Sequence, residues 1–93
     1  MLTAKPLMTY KKKILRILGN YCEAEPREDQ LVTDMQVCVG INVRAEDVRQ
    51  ALGSLMEDGF ATRRIVPLRG TVWKITAEGL RALSHLSPEE IDE

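Results

Sequence analysis

The chain is poor in the residue types on which metal, redox and nucleophilic chemistry depend. It has one histidine, His85, and two cysteines, Cys22 and Cys38, in no C-x-x-C arrangement. A structural zinc site takes four N or S donors at defined spacing, so none can be built within one such chain. His85 has Ser84 beside it and Asp34 far off in sequence, which is no triad pattern, and a lone histidine near a helix end is first of all an exposed residue. The expectation is a protein that is not an enzyme and uses no cofactor. Aromatic residues make up 4% of the sequence, too few for an interleaved surface that stacks single-stranded bases, so Trp73 and Tyr10 read as core.

Long apolar runs are missing too. The N-terminus lacks the roughly 7 to 15 residue apolar stretch of a secretory signal, and nothing approaches the ~18 apolar residues that span a bilayer. The expected setting is cytoplasmic, off the membrane, with reduced thiols. No cation flanks Cys22 or Cys38 to activate it, and both fall on apolar helix faces, where cysteine serves as a small hydrophobe.

What is present is one domain's worth of sequence. The 93 residues are 44% hydrophobic and 29% charged, a balance that suits a single soluble domain with a small core. Such a chain suits a binding module better than an enzyme with a deep cleft. Its net charge of −1 argues at first against nucleic acid. Resolved along the chain, that charge becomes +5 over residues 1–16, −4 over 17–34, zero over 35–50, −2 over 51–60, +4 over 61–75 and −4 from residue 76 onward. Two basic islands stand between acidic stretches.

Apolar residues from Tyr10 to Cys22 recur at helical spacing after Thr9, a candidate N-cap, and place Lys12, Lys13 and Arg16 on the opposite face. EAEPRED, residues 23–29, reads as a polar loop. Leu31 to Val39 is a short helical candidate whose valines would also suit a strand. After Gly40, the segment from Ala45 to Asp58 carries Val48, Ala51, Leu52 and Leu55 at i, i+3, i+4, i+7, with Glu46 and Asp47 at the positive end and Gly59 placed to stop it. FATRRIV and TVWKIT, separated by Pro67 to Gly70, predict an antiparallel hairpin with Arg69 near its tip. Thr76 is positioned to cap a last helix, AEGLRALSHL, and Ser87, Pro88 and Glu90 form a further capping signature.

That order of elements, with V-x-x-A-L-x-x-L-x-x-x-G-F from Val48 to Phe60 and W-K-I-T-A-E-G-L-R-A-L from Trp73 to Leu83, resembles the winged helix-turn-helix of MarR-like and PadR-like bacterial regulators. The resemblance implies an α+β fold with a three-helix core, a two-stranded β wing and a C-terminal helix over residues 9–86. It leaves 1–8 and 87–93 as flexible or partner-binding tails. It also implies sequence-specific binding of double-stranded DNA by a transcriptional regulator of bacterial or phage type, with helix 45–58 in the major groove and hairpin 60–76 as the wing.

Carried over by position, the base-contacting slots fall on Glu46, Asp47, Arg49 and Gln50, with Arg44 preceding them and Gly53 letting the backbone approach. Arg63, Arg64, Arg69 and Lys74 would be the wing contacts, and Lys12, Lys13 and Arg16 phosphate contacts of the first helix. Small modules of this kind bind as symmetric dimers, which assigns Leu80, Leu83 and Leu86 to an interface. Two features depart from the family pattern. The Gly40 to Gly59 spacing is longer, and acids open the recognition helix where Ser, Thr or Arg is commoner. The alternative is a winged helix that binds protein, favoured by those acids and by the acidic tail.

Overall fold

The structure, a computed structural model, describes residues 2–21 and 24–86. Over these residues it is an α+β arrangement of four helices and a two-stranded antiparallel hairpin, compatible with a winged-helix layout. The capping signature at Ser87 to Glu90, the acidic tail and Cys22 lie outside the described residues.

Helix α1 runs Ala4–Tyr21, so it begins ahead of the expected Thr9 cap and takes up part of the supposed N-terminal tail. Pro6 lies in the first turn, where its missing N–H has no intrahelical partner to lose. Leu7 N–H already donates to the Thr3 carbonyl at 2.9 Å, and Thr9 is interior, its hydroxyl donating to the Lys5 carbonyl at 3.3 Å. Ile14, Leu15, Ile17 and Leu18 form the buried stripe.

The ambiguous second segment is helical. α2 spans Glu28–Cys38 and starts earlier than the sequence reading placed it, with Glu28 and Asp29 at its positive end. Leu31 and Met35, spaced i, i+4, point inward, while Val37, Cys38 and Val39 face solvent. Cys38 is therefore exposed, contrary to its reading as a buried hydrophobe. The following turn is held by Gln36, whose side-chain amide donates to the Val43 carbonyl at 3.1 Å, and by Val43 itself, which is buried.

α3 spans Ala45–Glu57 and buries Val48, Ala51, Leu52 and Leu55 as the spacing predicts. It ends in a Schellman motif: Phe60 N–H donates to the Leu55 carbonyl at 2.9 Å and Gly59 N–H to the Met56 carbonyl at 3.0 Å. Gly59 has φ +82°, a conformation open to glycine at little steric cost.

Strand β1 (Ala61–Val66) pairs with β2 (Gly70–Ile75) in a register that sets Arg63 opposite Trp73 and Arg64 opposite Val72. On its other side β2 meets the loop after α1, through a bridge from Arg27 to Val72 and a bond from Trp73 N–H to the Pro26 carbonyl at 3.0 Å. β1 is thus an edge, and β2 is flanked on both sides. Trp73 is 3% exposed and belongs to the core, as expected.

The last helix, α4, is Ala77–Ser84, capped by Thr76, whose hydroxyl oxygen accepts from Gly79 N–H at 3.0 Å. A Cβ at Gly79 would fall on the Phe60 carbonyl oxygen, so the close approach of α4 to the hairpin base requires glycine.

Candidate nucleic-acid interface

The polar side chains of α3 are largely engaged within the molecule. Arg49 Nε donates to Glu28 Oε2 at 3.0 Å, which ties α3 to the start of α2. Arg44 lies 3.5 Å from Glu46. Gln50 is half-buried and bonded twice to the backbone of Leu2: its Oε1 accepts from Leu2 N–H at 2.9 Å and its Nε2 donates to the Leu2 carbonyl at 3.1 Å. Leu2, in the segment expected to be a flexible or partner-binding tail, therefore lies on the helix expected to read bases. Asp47 is turned toward α1. Burial and then the Asp47 charge hold the Tyr10 phenol above its ordinary value of 10.0. Glu46, Gly53 and Glu57 lie on one face of α3 by helical spacing, the two acids exposed and Gly53 partly so, with the exposed Arg49 on the same side. A Cβ built on Gly53 meets nothing, so that position is open to solvent.

These engagements differ in weight. An exposed ion pair contributes about 0–1 kcal/mol, so Arg49 could exchange Glu28 for a phosphate at small cost. Gln50 would have to give up two hydrogen bonds, each of about 1 kcal/mol net, before it could read a base edge.

The hairpin is different. Arg64 makes a two-point contact with the Glu25 carboxylate, contributed by the loop after α1, so an acid from outside the hairpin neutralises one of its four cations. Arg63, Arg69 and Lys74 are exposed and have no ion-pair partner among the described residues. By the register, Arg63 shares a face with Trp73 and Lys74 shares the other with Arg64, so free cations emerge on both sides of the ribbon.

The turn joins Pro67, Leu68 and Arg69, with Arg69 N–H donating to the Val66 carbonyl at 3.1 Å. Leu68 has φ +68° and is fully exposed. Arg69 is near the tip, as its position between Pro67 and Gly70 predicts, and Leu68 stands at the tip itself. The available signal was its place directly after Pro67, the second central turn position, which a type II turn fills with Gly or Asn.

Elsewhere, Lys11 is paired with Asp58 at 2.5 Å, Lys13 and Arg16 each have an interaction partner, and Lys12 is half-buried beside the groove described next. Tyr21 donates its hydroxyl to Asp34 Oδ2 at 2.6 Å; this bond first, then burial, holds its phenol above the ordinary value. Of the leucines assigned to an interface, Leu83 packs over Gly19, Leu80 is 45% exposed, and Leu86 edges an apolar groove of about 170 Å³ lined by Met8, Leu15, Leu55, Phe60 and Ala82. No helix among the described residues is long and apolar enough to cross a membrane. No group of three His, Cys, Asp or Glu residues that could hold a metal ion occurs among them. Compared with known proteins, the chain matches no family model, no curated protein and no solved structure.

Proposed function

We propose that the chain is a winged-helix module that binds double-stranded DNA, of the kind used by bacterial or phage transcriptional regulators, and that the hairpin leads the contact. The observation that carries this reading is the condition of Arg63, Arg69 and Lys74: three exposed cations without ion-pair partners among the described residues, on a hairpin whose residues 59–76 contain no acid. Phosphate is the polyanion such a ribbon fits, and an arginine beside the tip suits a narrow minor groove. α3, with its outward acids and its tethered Gln50, contributes placement more than base reading. The module acts as a homodimer, through Leu80 and the groove edged by Leu86.

Fluorescence anisotropy on a labelled duplex across a salt series tests this. Three phosphate contacts give a log–log slope of about −2.7, and Arg63→Glu with Arg69→Glu weakens binding by about 100-fold or more. Absence of binding at ~50 mM salt, or binding indifferent to the double substitution, overturns the reading.

A second reading, a protein-interaction module, is favoured by Val37, Val39 and Ile41, which are 81%, 42% and 86% exposed around the α2–α3 turn. Substituting Val37 and Ile41 by serine would leave duplex binding intact under the first reading and remove a protein partner under the second.

A further inference from the structure

Leu68 combines features that ordinary turn chemistry does not account for. Its φ of +68° lies in the left-handed region, which disfavours a side chain of this size, and its side chain, 107% exposed, buries no apolar surface of its own. Glycine or asparagine would make the turn more easily. Pro67 before it fixes its own φ near −65° in any context, and the Arg69 to Val66 bond closes the loop, so the leucine is held out on a stiff tip rather than a loose one. Arg69 follows it directly, while Arg63 and Lys74 stand on opposite faces toward the foot of the ribbon, in register with Trp73 and Thr62.

A rigid apolar point with an arginine beside it, and further cations on both faces toward the foot of the ribbon, fits one polyanion geometry in particular. A flat anionic surface such as a membrane would meet the cations of only one face. A nucleic-acid groove has a phosphate strand on each side and stacked apolar base edges at its floor. Proteins that kink DNA from the minor groove insert an apolar side chain between base pairs there while cations hold the flanking backbones.

We propose that the tip Pro67-Leu68-Arg69 is a minor-groove wedge: Leu68 partly unstacks one base step and bends the duplex, and Arg69 lies in the groove beside it. This rests on the DNA-binding reading above and adds to it a deformation and a class of preferred site. The favoured steps are the easily unstacked pyrimidine–purine ones, TA and CA, so selectivity arises at the tip from DNA deformability, independently of α3.

The test uses the full chain and a duplex carrying donor and acceptor dyes at its ends, with a central TA step or, in a matched duplex, an AA step. The wild type is expected to raise energy transfer on binding and to prefer the TA duplex several-fold. Leu68→Gly relieves the left-handed strain, so it folds at least as well. It is expected to lose the bend and the TA preference, with a salt slope unchanged because the cations remain. A wild-type complex with salt-dependent binding but a straight duplex overturns the wedge and leaves the DNA reading standing. So does a Leu68→Gly complex bent like wild type. No duplex binding at ~50 mM salt overturns both, and Leu68-dependent binding to vesicles of anionic phospholipid in its place assigns the tip to lipid.

Discussion

α3 and the hairpin carry comparable numbers of polar side chains in opposite states. On α3, Arg49 is held by Glu28 and Gln50 is bonded to the Leu2 backbone, and Arg44 just before the helix lies near Glu46, so the cations and the amide there are already engaged while Glu46 and Glu57 face outward. On the hairpin only Arg64 is neutralised, and Arg63, Arg69 and Lys74 stand free among the described residues. The lesson concerns where unspent charge lies. A helix can have the apolar stripe and the position of a recognition helix while its donors are already satisfied at home. A ribbon with surplus cations has an electrostatic reason to find a partner.

The comparison can be broken from either side. The largest expected effect is on stability, at the inner face of α3. Leu52→Ala, at a fully buried position, should cost about 2–5 kcal/mol in urea unfolding. Ile65→Ala, at a position 74% exposed, should stay within about 0.5 kcal/mol. Equal costs would mean the hairpin is far better packed than its exposure implies. Next comes binding: reversing Arg63 and Arg69 should weaken duplex affinity by about 100-fold or more, while Arg49→Gln changes it less than about threefold, read by anisotropy at fixed low salt. A larger loss at Arg49 would make α3 the reader after all.

Glycine substitutions sharpen the contrast further. Gly59→Ala should destabilise by about 1 kcal/mol, because its φ of +82° disfavours any Cβ. Gly53→Ala should stabilise by about 0.5–1 kcal/mol, since the added methyl meets nothing. If Gly53→Ala raises the melting temperature yet abolishes duplex binding, the α3 backbone approaches the DNA closely. The smallest effect is alkaline. Tyr10 and Tyr21 have folded-state values raised above 10.0, so the stability they contribute is fully present below pH 10 and lost as pH rises through the folded values. Ultraviolet titration should show both phenols ionising later than free tyrosine.

Much of the layout was legible in the sequence because it depends on local periodicity. The buried stripe of α3, the stop at Gly59, the hairpin and the Thr76 cap all follow from residues within a few positions of one another. What escaped depends on pairs far apart in the chain. Gln50 meets Leu2, Arg49 meets Glu28 and Arg64 meets Glu25 only once α1 and α2 have packed. Those contacts determine which candidate site residues are available, so the fold was more readable than the site. The start of α1 differs for a simpler reason: Thr9 has the chemistry of an N-cap, but the helix begins at Ala4, with Pro6 in the first turn where it is tolerated.

The Thr76 hydroxyl has a consequence for how the molecule opens. It donates to the Gly59 carbonyl at 2.7 Å while accepting from Gly79 N–H, and its own N–H donates to the Phe60 carbonyl at 3.0 Å. One residue therefore links the exit of α3, both feet of the hairpin and the first turn of α4. Breaking any one of these junctions strains the others, so the hairpin base and α4 should exchange their amide protons as one cooperative unit, with matched protection that falls together in Thr76→Val. The ribbon would then move as a stiff arm anchored to α4, and a load applied at Leu68 would be felt at the groove edged by Leu86.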